Sequence, residues 1–107
     1  MALSLKIDFY PVNTAKPEFI LEPHWWNISE LLKLYPFNRE LLNGYEDYHL
    51  TVTKELLKAI HKDQLKYLDA AHLKLMESIV MGQLEYIFDS ETIFSKIEIN
   101  IYEWNAG

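Results

Sequence analysis

Two stretches near the ends of the chain alternate apolar and polar residues with a period of two. In the first, Leu3, Leu5, Ile7 and Phe9 alternate with Ser4, Lys6, Asp8 and Tyr10. In the second, Ile97, Ile99 and Ile101 alternate with Lys96, Glu98, Asn100 and Tyr102, and Trp104 follows. Strand side chains project alternately to the two faces of a sheet, so each stretch predicts a half-buried β-strand. The run Phe19, Ile20 and Leu21, bounded by Pro17 and Pro23, suits an edge strand returning from the first one across a loop over Val12 to Pro17.

From about residue 53 to 88 there is no proline, and Gly82 is the one glycine. Leu56, Leu57, Ile60, Leu65, Leu68, Leu75, Met76, Ile79, Val80, Leu84 and Ile87 recur mainly three or four apart, which predicts helix. The apolar phase is disturbed at His61-Lys62-Asp63-Gln64. The region is therefore either one long helix or two helices joined there, with Asp63 capping the second. A heptad seam through Leu57, Ile60, Gln64, Tyr67, Ala71 and Lys74 would carry polar groups, which argues against a coiled coil. Upstream, Ser29 is expected to cap a short helix through Leu31, Leu32 and Leu34 that ends at Tyr35, ahead of Pro36. Asn38 is expected to cap a further turn or two over Arg39 to Leu42, stopped by Asn43-Gly44. Residues 45–52 stay open between a strand and the start of a helix, because Tyr48, Leu50 and Val52 alternate.

A lone pair of strands is only marginally stable in water. Both terminal strands bury their apolar faces if they share one sheet against the central helices. The expectation is an α+β domain spanning 1–107, its small sheet containing the N- and C-terminal strands and packed against the central helices, with the 18–22 segment at an edge.

Composition narrows the class. A chain of 107 residues has room for one core. Hydrophobic residues make up 50% and aromatics 14%, enough to drive folding and to exclude disorder. No run approaches the roughly 20 apolar residues that cross a bilayer, and Lys6 and Asp8 interrupt the first apolar stretch, unlike a secretory signal. Without cysteine there is no disulfide, thiolate catalysis or zinc ribbon. A cytoplasmic location and no membrane contact are expected.

The net charge of −6 is unevenly spread. Basic and acidic residues number four and seven in 1–50, five and three in 51–75, and one and six in 76–107. The C-terminal third therefore carries most of the surplus, and such a surface repels nucleic acid and attracts basic partners. Lys54, Lys58, Lys62 and Lys66 step by four, but Glu55, Asp63 and Asp69 intersperse them. That stripe reads as a solvated helix flank, with no direct nucleic-acid contact.

Motifs for chemistry are sparse. Three glycines leave no phosphate-cradling loop, and none of the serines sits in a Gly-x-Ser-x-Gly turn. No catalytic residue and no cofactor is expected. Glu46-x-x-His49 and Asp69-x-x-His72 each set a carboxylate and an imidazole one helical turn apart. They support an alternative reading as a small-molecule or metal-binding domain.

The main expectation is a partner-binding surface. Glu85, Asp89, Glu91, Glu98 and Glu103 accompany Tyr86, Tyr102 and Trp104, and carboxylates beside aromatic rings steer and anchor a basic protein. His24-Trp25-Trp26 adds two indoles, one expected in the core and one at an interface. The residues expected to touch the partner are Glu85, Tyr86, Asp89, Glu91, Glu103, Trp104, Trp25 and Trp26. In composition the chain resembles the general type of bacterial toxin-immunity proteins: small, single-domain, acidic and poor in motifs. That resemblance implies an inhibitor covering the cationic active site of a basic toxin domain, a nuclease in particular. Self-association through an exposed strand edge is a further expectation.

Overall fold

The two alternating stretches pair with each other. In the computed structural model, which describes residues 2–69, 71 and 73–104, β1 (Ala2–Pro11) lies antiparallel to β5 (Phe94–Trp104), with Ile7 opposite Ile99. The apolar run forms β2 (Phe19–Leu21), an edge strand antiparallel to β1. On the other side of β5 come β4 (Tyr45–Val52) and then β3 (Asn38–Leu42), so the five-stranded sheet runs β2-β1-β5-β4-β3 with every pairing antiparallel. The α+β expectation is met, terminal strands included.

Register puts one apolar row on one face of the sheet. Leu5, Ile7 and Phe9 of β1 oppose Ile101, Ile99 and Ile97 of β5, and Leu50 and Val52 of β4 join them. All are buried in one cluster with residues of three helices: α1 (Ile28–Leu34), α2 (Lys54–Gln64) and α3 (Leu75–Asp89). Leu31, Leu57, Ile60, Val80, Leu84 and Ile87 are their buried contributions. The helices thus cover one face, and the polar alternates of the strands make up the other, as antiparallel sheets permit.

Three local expectations are corrected. The first helix begins at Ile28 and is capped by Asn27, whose side chain accepts from the Glu30 N–H at 3.0 Å, not by Ser29. The Asn27 N–H donates in turn to Gln64 Oε1 at 2.7 Å, tying the start of α1 to the end of α2. That bond explains the second correction: Gln64 is buried within the last turn of α2, so the helix does not restart at Asp63. A 3-10 turn over Leu65–Tyr67 follows, Leu68 and Lys74 are extended, and α3 opens with the Lys74 N–H on the Glu77 carboxylate at 3.2 Å.

The third correction is the largest. Asn38–Leu42 is a strand, not a helical turn, and 45–52 is its hairpin partner. Asn43 and Gly44 both have positive φ, 52° and 82°, the signature of a two-residue type I′ turn whose twist matches the strands. Arg, Glu and Leu favour helix, but the hairpin ladder prevails here. Nothing lies within 4 Å of a Cβ added at Gly44, so a substitution there meets backbone strain alone. Gly44→Ala is expected to cost about 1 kcal/mol, read as a lower urea midpoint at unchanged slope; an unchanged midpoint would show that the turn relaxes freely.

Candidate functional site

Helix α3 is apolar on two sides. Val80, Leu84 and Ile87 face the sheet. Leu75, Met76, Ile79 and Tyr86 form a second row that points to solvent, with exposures of 76%, 65%, 44% and 75%. This outer row adjoins the edge strand. A groove of about 570 Å³ runs between β2 and α3, lined by Phe19, Ile20, Leu21, Ile79, Gly82 and Tyr86. A Cβ at Gly82 would meet nothing within 4 Å, so this glycine keeps the groove open without being forced by packing. Glu85 and Asp89, four apart, flank Tyr86 on the exposed side, and Glu91 follows in the loop. Of the eight expected contact residues, Tyr86 lines this groove, Glu85 and Asp89 are exposed on the same helix and Glu91 lines a separate recess with Lys54 and Phe94, so four of the eight lie at or near the end of α3.

The other four do not. Trp25 and Trp26 are both buried, which corrects their assignment to an interface. Their rings lie 6.3 Å each from that of His61, and Phe88 lies 5.5 Å from it on the α3 side. Burial pushes the His61 pKa down, and Glu85 opposes that only in part. Neither ring nitrogen of His61 has a hydrogen-bond partner among the described residues. Glu103 and Trp104 sit at the far end of β5 from α3, roughly 30 Å of extended chain from Phe94. There, Glu103 accepts from the Glu46 N–H at 3.1 Å and Trp104 donates to Ser4 Oγ at 2.6 Å. The negative charge of the C-terminal third is thus divided between two ends of the molecule rather than gathered on one face.

The carboxylate-imidazole pairs do not assemble. Glu46 and His49 lie three apart on a strand and so point to opposite faces. Glu46 instead pairs with Arg39 and accepts from the Tyr48 hydroxyl at 2.5 Å. The Tyr48 hydrogen bond, then Arg39, hold its carboxyl below the usual range. Asp69 accepts from the Ala71 N–H at 3.0 Å, and His72 lies outside the described residues. Among the described residues, no three His, Asp or Glu side chains converge on a metal position. The lysine row is partly structural: Lys54 donates to the Ser90 and Thr92 carbonyls at 2.9 Å each, and Lys66 bridges Glu30 and Asp63.

The uncovered face of the sheet carries a polar line that strand alternation alone does not reveal. Asn100 of β5 donates through Nδ2 to Asp8 of β1, and its Oδ1 lies 2.5 Å from His49 Nδ1 of β4. His49 Nε2 is 3.6 Å from Glu40 of β3. The signal was present in the polar alternates of the two terminal strands, but only register sets Asn100 opposite Lys6 and His49, beside Asp8.

Comparison of the chain with protein-family models, with curated proteins and with solved structures returns no match to any of the three. Among the described residues, no helix is long and apolar enough to cross a membrane.

Proposed function

We propose that this chain is a protein-binding domain that docks a cation-rich protein through the outer face of α3 and the adjoining edge strand β2. One observation carries the reading: Leu75, Met76, Ile79 and Tyr86 stand in water along α3, Ile79 and Tyr86 line the groove beside it, and Glu85 and Asp89 are exposed on the same helix. Exposed apolar patches rimmed by polar residues mark protein interfaces. An apolar centre supplies buried area, while rim carboxylates speed encounter with a basic surface. A toxin domain fits that description, and a nuclease most of all, because its phosphate-binding site must present positive charge. The chain would then act as an inhibitor rather than as an enzyme.

The test needs a basic toxin domain as the partner, which an inhibitor gene is expected to follow directly, so the gene upstream is the first place to seek it. Binding is expected to weaken steeply with salt, and Tyr86→Ala is expected to lower affinity at least about tenfold with an unchanged melting temperature. Glu85→Lys with Asp89→Lys should slow association chiefly. Loss of protection against the domain's toxicity should follow the same variants. Affinity indifferent to salt and to all three substitutions would end the proposal. A homodimer abolished by Tyr86→Ala would make a second copy of the chain the occupant.

A further inference from the structure

On the opposite side of the sheet from α3, we infer a binding site for a guanidinium group, centred on Asp8. The open face forms a recess of about 620 Å³ lined by Asp8, Asp47, His49, Glu98, Asn100 and Tyr102 among others. A volume of that order suits a small ligand.

Asp8 is the feature that points to an occupant. It is 3% exposed although it belongs to the uncovered face. Its Oδ2 accepts from Asn100, but its Oδ1 has no donor among the described residues. An ionised carboxylate out of water needs hydrogen bonds and a cation. Lys6 is the near cation, with Nζ 3.8 Å from Oδ2, beyond hydrogen-bond length, and its side chain is 36% exposed. Asp8 is thus held in place by Asn100 and left short of donors.

The surroundings select the ligand class. Asp47 and Glu98 add carboxylates, Glu98 with Lys96 at 3.8 Å, so the recess disfavours anions. Tyr10, Tyr45 and Tyr102 line the same recess, and two of these rings already face cations, Lys96 at 4.3 Å from Tyr10 and Lys6 at 6.0 Å from Tyr102, the place a flat cation would take on displacing Lys6. A guanidinium offers five donors in a planar fork that matches a carboxylate and also stacks on rings, which an ammonium does not. It would displace Lys6 and supply the donor that Oδ1 lacks. Its source is either a free guanidinium compound or an arginine side chain of a polypeptide. The site faces away from α3, so it stands whether or not the α3 groove docks a protein.

The experiment is a titration of the full chain followed by NMR, with agmatine, arginine amide and a short blocked peptide containing one arginine. Citrulline amide, the neutral isostere of arginine amide, is the control. The guanidinium ligands are expected to shift Asp8, His49, Asn100 and Tyr102 resonances saturably in the millimolar range or below, and citrulline amide is not. Asp8→Asn should weaken binding at least about tenfold, as loss of a charge-assisted pair does. Lys6→Gln removes the competitor, so it should tighten binding, which a purely structural Asp8 would not predict. Peptide binding about tenfold tighter than agmatine would assign the site to a polypeptide arginine; equal binding would assign it to a free compound. No saturable shift by about 20 mM, a weak fragment-level affinity, would overturn the site. So would equal shifts from citrulline amide, or no tightening with Lys6→Gln.

Discussion

Leu84→Ala is expected to destabilise the fold by about 2–5 kcal/mol, out of a total that for domains of this size is roughly 5–15 kcal/mol. Leu84 is fully buried at the centre of α3, with Val80 and Ile87 one turn to either side. These three are the buried residues of the helix, with Met81 and Phe88 half-buried against the same core and the Leu75, Met76, Ile79 and Tyr86 row facing solvent. The chain is extended at Leu68 and again at Lys74, so α3 gains no continuity from α2 and depends on this short seam. Urea denaturation should show the loss as a lower midpoint. Because α3 also carries Tyr86, the same substitution should lower affinity for a basic partner, whereas Tyr86→Ala should affect affinity alone. A Leu84→Ala loss below about 1 kcal/mol, the level of an exposed substitution, would mean that α3 is not seated on the sheet at this residue.

Acidification is expected to destabilise the protein through His61. The imidazole is buried between Trp25, Trp26 and Phe88, with no hydrogen-bond partner among the described residues, so the folded state holds it neutral and its pKa is lowered. In the unfolded chain it titrates near 6.5. Below that pH the unfolded state binds a proton that the folded state refuses, so stability falls as pH falls. The slope is at most about 1.4 kcal/mol per pH unit, and it ends when the pH reaches the folded pKa. As pH rises past the unfolded value the slope fades, because both states become neutral. Glu85 limits the loss by favouring the cation in the folded state. His61→Leu should remove this component while keeping an apolar group in the cluster. Unfolding free energies compared between pH 7.5 and 5.5, on either side of the free imidazole pKa, should therefore fall further in the wild type than in His61→Leu. Parallel pH profiles for the two proteins would show that His61 is protonated in the fold without penalty.

The legible parts of this protein were those with one strong periodicity. The rows at Leu3 to Phe9 and Ile97 to Ile101 gave both terminal strands their faces, and pairing them in one sheet followed from the need to bury both. Asn38 to Leu42 reads as a helical turn in sequence because all five residues are exposed, so no apolar pattern marks the strand. Its residues lean towards helix, and Asn43-Gly44 serves equally as a helix stop or a hairpin turn. Only pairing with β4 chooses between them. The candidate site was half legible. Glu85, Tyr86, Asp89 and Glu91 are neighbours in sequence and remain so on the surface. Trp25 and Trp26 went to the core, where His61 and Phe88 complete their packing from distant segments.

Local sequence by itself determined the class, the two terminal strands, the helical character of α2 and α3, and the acidic sign of the C-terminal third. All of these rest on spacing or charge within a few residues. Tertiary structure decided which apolar residues stay in water. The Leu75, Met76, Ile79 and Tyr86 row has the same helical spacing as the buried Val80, Leu84 and Ile87 row, and only one side of a helix can meet the sheet. It likewise decided that Asp8, Asn100 and His49 meet, because residues 92 and 51 positions apart become neighbours only through strand register.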